Sequence, residues 1–167
     1  KISFGALLGL EVGKLYFTKM SLAETSPLPE IMIIPALLLA SLSFTIIFNA
    51  RLKDFGIVML SGVISLGTLY FYQLHLTQVI SIFLASFSIA LASNLFANLA
   101  NKPAAVMLVP GIIFLVPGSV GLKGLNLIMQ AEYIAGLTTG LQMFIISITI
   151  VAGMFLSNIV LTPKKNL

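Results

Sequence analysis

The stretch "VPGIIFLVPGSVG", residues 109–121, contains the tripeptide Val-Pro-Gly twice, seven positions apart, in an otherwise apolar run. Proline removes a backbone donor and clashes with the preceding helical turn, while glycine adds backbone freedom. We therefore predict that Pro110-Gly111 and Pro117-Gly118 each interrupt or bend a helix. In hydrocarbon, the freed backbone groups are tolerated only where other helices cover them or where they line a water-filled cavity.

The composition identifies the chain as a membrane protein. Of its 167 residues, 59% are hydrophobic and 8% are charged, whereas a soluble domain carries about 25% charged residues. The absence of cysteine excludes a disulfide framework, thiolate metal sites and thiol nucleophiles. With one histidine and no acidic pair within any apolar segment, the sequence offers no catalytic constellation and calls for no cofactor. The net charge of +4 is interpreted as a topology signal, not as a nucleic-acid interface.

Three uncharged runs, 31–48, 55–72 and 79–97, are predicted to be spanning helices. Eighteen helical residues reach about 27 Å, close to the hydrocarbon thickness of roughly 30 Å. A fourth uncharged run, 135–161, has 27 residues and must tilt, kink or protrude.

Segment 2–17 is a shorter candidate helix that carries two charges, Glu11 and Lys14. Three of its glycines recur at every fourth position and therefore share one helix face: Gly5, Gly9 and Gly13. Such a glycine stripe favours close approach of another helix.

The segment 103–128 holds the repeat and a single charge, Lys123. If it crosses once, the chain makes six crossings, and six basic residues fall on one side: Lys1, Arg51, Lys53, Lys102, Lys164 and Lys165. The positive-inside rule then assigns this side, with both ends of the chain, to the cytoplasm. The sequence thus predicts an all-α, polytopic helical membrane protein with five to six transmembrane segments, one of them broken by Pro-Gly pairs.

The octapeptide "PGSVGLKG", residues 117–124, is the candidate binding element. It combines the hydroxyl of Ser119, three glycines and the cation of Lys123 with the backbone amides exposed after a proline. Open helix ends near the membrane midplane bind ionic groups in transporters, so this element is suited to holding a carboxylate. The alternative is that the prolines only kink a helix for packing, with Lys123 extending to the membrane interface.

Other polar and small residues carry less specific signals. Asn94 and Asn98, one helical turn apart, either line a path across the membrane or bond the backbone freed in 109–121. Small residues at helical spacing predict close helix packing along three faces: Ser61, Ser65 and Thr68; Ser86, Ala90, Ser93 and Ala97; and Gly136 and Gly140.

Three stretches together resemble one family: "FNARLKDFG" (48–56), "NKPAAVMLVPGIIFLVPGSVGLKGL" (101–125) and "YIAGLTTGLQMFIISITIVAGMFLS" (133–157). They look like the C-terminal membrane half of the threonine/serine exporter family, which in some members is a separate small subunit. The similarity runs over about residues 31–161. Its most specific part is a Pro-Gly pair, a short apolar run, a second Pro-Gly pair and then a basic residue, here Lys123.

The resemblance implies a secondary transporter in the bacterial inner membrane. Its cargo would be small hydroxy amino acids such as threonine and serine, exported at the expense of the proton gradient, or a dicarboxylate such as succinate in two-subunit members. It also implies an N-terminal half, fused or separate, as partner, and a homo-oligomer is a further candidate. The substrate carboxylate is assigned to the broken segment 109–124 through these residues: Pro110, Gly111, Pro117, Gly118, Ser119, Gly121 and Lys123.

The resemblance also suggests a domain plan. Residues 1–19 resemble the last helix of the upstream half, which would make the chain a fragment of a fused protein. The polar stretch 20–30 is then a linker, 31–161 the C-terminal transmembrane domain and 162–167 a cytoplasmic tail. Glu11, or a carboxylate of the upstream half, is the candidate carrier of the coupled proton.

Three other functions compete with this hypothesis. A packing subunit of a membrane complex would use its small-residue faces only to bind a partner, and it predicts that Lys123 can be neutralised without loss of flux. A channel would conduct downhill without coupling. A membrane-embedded enzyme would need a nucleophile, base or metal cluster that the sequence does not offer.

Overall fold

The computed structural model of the protein describes residues 32–49 and 51–162. This part of the chain consists of helices and short connections and contains no strand. A short 3-10 helix, Leu52–Asp54, lies between the first two of six α-helices. These are α1 (Ile33–Ile47), α2 (Phe55–Gln73), α3 (Gln78–Ala100), α4 (Ala105–Leu115), α5 (Gly118–Met129) and α6 (Tyr133–Val160).

Four segments are long and apolar enough to cross a bilayer: α2, α3, α6 and the combined stretch Ala105–Met129. Helix α1 is equally apolar but has 15 residues. Large apolar side chains such as Leu39, Phe71 and Phe155 are exposed on the outside of the bundle, as expected for surfaces that face lipid. The predicted fold class, an all-α polytopic membrane protein, is confirmed.

The predicted segments and the observed helices agree closely, although one part of the prediction cannot be compared. Segment 2–17 with Glu11, the linker 20–30 and tail residues 163–167 lie outside the described residues. The long run 135–161 forms the uninterrupted helix α6, which has 28 residues and a length of about 42 Å.

The two Pro-Gly pairs differ in their effect on the backbone. Pro110 and Gly111 lie inside the continuous helix α4, so of the predicted interruption or bend, the interruption does not occur at the first pair. The chain leaves the helix at Val116, which is extended (φ −66°, ψ 129°), and α5 begins directly after Pro117. Helix α4 packs on α2 and α3 in the core, whereas α5 packs mainly on α6 at the edge.

The core lies where α3, α4 and α6 meet, and close contacts between backbones hold it together. A Cβ placed on Gly153 of α6 would lie 2.6 Å from the carbonyl oxygen of Phe83 and 3.0 Å from the amide nitrogen of Phe87 on α3. Apolar side chains fill the centre of the junction: Ile82, Ala85, Ile89, Met107, Leu115, Ile146 and Ile150.

The small-residue faces behave as packing faces, with one exception. Ser61 and Ser65 on α2, and Ser86 and Ser93 on α3, are fully buried, which confirms the packing prediction for both faces. On α6 only half of the predicted face makes contact. A Cβ on Gly136 would meet the Ile128 side chain, whereas one on Gly140 would have no heavy atom within 4 Å. Gly140 thus makes no packing contact within the described part of the chain, because α5 packs along the face of α6 that carries Gly136, Thr139 and Met143.

Helices α5 and α6 form a hairpin closed by a three-residue turn, Gln130 to Glu132. Ala131 adopts the left-handed conformation (φ 63°) that ends a helix. The amide of Glu132 donates to the Leu127 carbonyl (2.9 Å), and the amide of Ala131 donates to the Ile128 carbonyl (3.1 Å). These two bonds form a Schellman motif, which fixes the far end of α5 to the start of α6.

Candidate functional site

The seven residues assigned to the substrate from the sequence fall into separate environments. Pro110 and Gly111 are buried in α4, and a Cβ on Gly111 would meet the Ile89 side chain and lie 3.1 Å from the Ser65 hydroxyl oxygen. On α5, Gly121 packs against Met143 of α6, with the nearest side-chain atom 2.9 Å from a Cβ placed there. The structure therefore does not bring all seven residues to one surface.

The exposed face of α5 collects the remaining polar candidates. Gly118, Ser119 and Lys123 are exposed, and Pro117 is half-buried at the helix start. Asn126 and Gln130 continue this face, because positions i, i+4, i+7 and i+11 lie on one side of a helix. We call the four residues Ser119, Lys123, Asn126 and Gln130 the polar stripe of α5.

Lys123 is the one charged residue within the six described α-helices. A charge and two amide side chains on a membrane helix are expected to face protein or water, not lipid. The polar stripe points away from the described bundle, so we expect it to face another protein element, a water-filled space or, at Lys123, the membrane interface. The sequence carried this signal in the spacing of Asn126 and Gln130 from Lys123, although neither residue was among the predicted site residues.

The first turn of α5 leaves donors available at its start. The amide of Gly118 donates to the Val116 carbonyl (2.8 Å), and the amide of Gly121 begins the helical ladder by donating to the Pro117 carbonyl (3.2 Å). The amides of Ser119 and Val120 have no acceptor four residues earlier within the helix. A helix start with free amides and a cation one turn later suits an anionic group.

A second polar cluster lies at the end of the bundle where α1 ends and α4 begins. A cavity of about 500 Å³ is lined by Asn49, Arg51, Asp54 and Lys102, with Val106, Val109 and Pro110 of α4 among its apolar walls. We call it the Asp54 cavity. Sequence reasoning used Arg51 and Lys102 only as topology signals and gave Asp54 no role.

Asp54 and Lys102 form an ion pair, the one salt bridge within the described part of the chain. Asp54 precedes the first residue of α2, and Lys102 follows the C-terminal end of α3. The partial charges of the two helix ends favour an acid at the first position and a cation at the second. The Asp54 side chain is 12% exposed, whereas the Lys102 side chain is 44% exposed.

The two predicted roles of the asparagines of α3 are lining a path across the membrane and bonding the backbone of 109–121, and the hydrogen bonds of Asn94 do not go to that backbone. Its side-chain amide donates to the Leu161 carbonyl (2.7 Å) and to the Asn158 side-chain oxygen (2.9 Å). Asn98 donates to the Thr162 carbonyl (3.4 Å). Both residues therefore tie α3 to the C-terminal end of α6.

A comparison with family models decides the identity of the bundle. A model described as "Threonine/Serine exporter, ThrE" matches residues 33–160, which is all of α1 to α6. The chain belongs to the threonine/serine exporter family. Comparisons with curated proteins and with solved structures give no match. The exporter family is a transporter family, so the chain is an integral membrane protein that acts on a small molecule, and both polar clusters lie within the matched residues.

Proposed function

We propose that the chain is the C-terminal half of a proton-coupled exporter of small hydroxy amino acids such as threonine and serine. The observation that carries the proposal is the break at Val116–Pro117, which opens a helix start inside a spanning segment. Lys123, the one charge of the described α-helices, lies in the second turn of the new helix. An anion bound there would benefit from both the helix end and the ammonium group.

In this proposal each part of the broken segment 109–124 has its own task. The substrate carboxylate meets Lys123 and the amides of Ser119 and Val120, and the Ser119 hydroxyl bonds the substrate's polar side chain or amine. Gly118 leaves open space beside the carboxylate, since nothing lies within 4 Å of a Cβ placed on it. Gly121 brings α5 against α6, and Gly111 seats α4 in the core.

The exposure of the polar stripe supports the second part of the proposal, which is that the chain binds a partner. The N-terminal half of the exporter, fused or separate, covers the stripe and completes the substrate site between the two halves. Glu11 or a carboxylate of that half carries the coupled proton. The proposed transporter lies in a bacterial inner membrane, with both ends of the chain in the cytoplasm. It can also assemble as a homo-oligomer.

Two alternatives concern the same surface. A dicarboxylate exporter subunit would use Lys123 for one of two carboxylates, and a packing subunit would use the polar stripe only to bind its partner. Both are separated from the proposal by one experiment. Labelled threonine, serine and succinate are supplied to vesicles that contain the complete protein, with and without a pH gradient, for the parent, Lys123→Gln and Lys53→Gln.

Lys53→Gln is the matched control, because Lys53 is an exposed cation outside the spanning helices. A hydrogen bond to a charged group contributes about 1.5–3 kcal/mol, so Lys123→Gln should lower gradient-dependent threonine flux about ten- to a hundredfold. Lys53→Gln should leave the flux near the parent value. Unchanged flux in Lys123→Gln would contradict the site but keep the exporter, and succinate flux alone would favour the dicarboxylate alternative. No flux of any of the three in the parent would favour a packing subunit.

A further inference from the structure

We propose that the Asp54 cavity is a second substrate station, which binds the ammonium and carboxylate groups of a free amino acid in place of the Asp54–Lys102 ion pair. The inference rests on the proposed transport of amino acids and adds a station that is separate from the polar stripe. The charges of the cavity also select the substrate class, because they suit a zwitterionic amino acid better than a dicarboxylate.

The charges of the cavity match those of an amino acid. Asp54 supplies one anion, and Lys102 and Arg51 supply two cations, all in the lining of the same cavity. The α-ammonium group pairs with Asp54, and the α-carboxylate pairs with Lys102 and Arg51. The cavity volume of about 500 Å³ falls in the range of roughly 300–1,000 Å³ that is typical of small-molecule sites.

The first Pro-Gly pair leaves a backbone carbonyl without its helical partner in a residue of this wall. Pro110 has no N–H, so the carbonyl oxygen of Val106, four residues earlier, receives no helical hydrogen bond from it. Both residues line the cavity. An ammonium group carries three donors, and a carbonyl without its helical partner can accept one of them.

The exchange keeps Asp54 and Lys102 paired in both states. In the empty state Asp54 and Lys102 satisfy each other, and with a zwitterion bound each pairs with the ligand group of opposite sign. Lys102 is free to move because its side chain is half exposed, whereas Asp54 is held at the base of α2. A dicarboxylate would place its second negative charge against Asp54, and that like-charge contact weakens binding.

The position of the cavity suits export. It lies at the end of the bundle that carries Arg51, Lys53 and Lys102, which the positive-inside rule assigns to the cytoplasm. Pro110 in its wall and Pro117 at the start of α5 are seven residues apart, about 10 Å along a helix axis. An amino acid taken from the cytoplasm would meet the Asp54 cavity first and the polar stripe afterwards.

The test is equilibrium binding to the complete protein by isothermal titration calorimetry, with threonine, N-acetylthreonine, threonine amide and succinate as the probes. N-acetylthreonine lacks the ammonium group, and threonine amide lacks the carboxylate. The parent should bind threonine at least about tenfold more tightly than each of the other three. Asp54→Asn should weaken threonine binding at least about tenfold and remove the preference over N-acetylthreonine, and Lys102→Gln should remove the preference over threonine amide.

The pattern of lost preferences separates a binding role from a folding defect. A misfolded variant loses all ligands together, and Lys53→Gln, which neutralises a nearby cation outside the cavity, should retain the parent's ligand ranking. These affinities are compared in a Lys123→Gln background, which removes the cation of the polar stripe. The proposal is overturned if Asp54→Asn, with an unchanged unfolding temperature, keeps the affinity for threonine or weakens all four probes by the same factor. Threonine flux that persists in such a variant would leave the proposed function standing without this station, whereas absence of amino-acid flux in the parent would remove the proposed function itself.

Discussion

The two copies of Val-Pro-Gly share their sequence and differ in almost everything else. The first copy lies in the middle of α4, with Pro110 and Gly111 buried against α2 and α3. The second copy separates α4 from α5, and its Gly118 is exposed with open space around it. Neighbouring helices hold the first copy in helical form, because a well-packed core offsets the cost of a proline there. The second copy lies at the edge, where no such packing opposes the break.

The glycines of the two copies, Gly111 and Gly118, are also required for different reasons. No glycine among the described residues has a positive φ, so none is required for a left-handed conformation. The left-handed positions in this part of the chain are Asn49, Asn101 and Ala131. Gly111 is needed because a side chain would collide with Ile89, whereas Gly118 is needed, in the proposed site, because a side chain would occupy ligand space.

The largest effect is expected from a matched pair of valine substitutions at these glycines. Gly111→Val forces atoms into the Ile89 and Ser65 side chains, and overpacking of this kind lowers the free energy of unfolding by about 1–3 kcal/mol. Gly118→Val should change it by no more than about 0.5 kcal/mol. Thermal unfolding in detergent compares the two variants, and equal losses would show that the first copy is no more tightly packed than the second.

Alanine at each proline tests the break itself. Pro117→Ala allows α4 and α5 to join, which closes the helix start in the proposed site and should lower threonine flux by at least about tenfold, equivalent to about 1.4 kcal/mol. Pro110→Ala leaves α4 helical and the start of α5 open, and it restores only the N–H that the Val106 carbonyl lacks, so its flux should fall less than that of Pro117→Ala. Vesicle flux normalised to protein amount measures both. If the two variants lost equal flux, the break would not be the feature that distinguishes the two copies.

Helix α6 also carries one closely packed glycine, Gly136, and one glycine without near neighbours, Gly140. A Cβ on Gly136 meets Ile128 and lies 3.2 Å from the Gly124 carbonyl oxygen, so Gly136→Ala should destabilise the protein by about 1 kcal/mol. The Cβ added by Gly140→Ala has no heavy atom within 4 Å, so this substitution should raise the free energy of unfolding by up to about 1 kcal/mol through the better helix propensity of alanine. The sign of the shift in unfolding temperature decides the prediction, and a loss in both variants would contradict it.

The smallest effect is expected at Ser65, the neighbour of the first copy. Its hydroxyl oxygen is buried without a hydrogen-bond partner, although it lies beside Gly111. Ser65→Ala therefore removes no bond and should change the free energy of unfolding by no more than about 0.5 kcal/mol. Ser93→Ala serves as a comparison, because the Ser93 hydroxyl donates to the Ile89 carbonyl (2.7 Å) and should be the more costly of the two to remove.

The sequence predicted the helices well because their signal is simple. Long uncharged runs mark α2, α3 and α6, and charged or Pro-containing connections mark their ends. It did not distinguish the two Val-Pro-Gly copies, because the difference lies in what packs against each of them. Ile89 and Ser65 approach Gly111 from other helices, and the sequence around Gly111 does not predict that contact.

The candidate sites show the same division between local and distant signals. Ser119 and Lys123 are adjacent on one helix face, so spacing alone brought them together. Asp54 and Lys102 are 48 residues apart, and only the folding of α2 against α3 and α4 places them in one cavity. The only sequence signal for this pairing was that the two loops carry opposite charges on the same side of the membrane. Only the positive residues of these loops were used, to assign the topology.

The Schellman turn at Ala131 has a consequence for motion. Helix α5, with 12 residues and a length of about 18 Å, is hinged to α4 at Val116–Pro117 and tied to α6 at its other end. A rotation of about 15° at the hinge would move the far end of α5 by about 5 Å and draw the start of α6 along with it. Close backbone contact anchors α6 near Gly153, so its N-terminal part acts as a lever pivoted there. Spin labels at the exposed positions Leu122 and Leu137 should keep a constant separation during transport, while both change their distance to a label at Leu95.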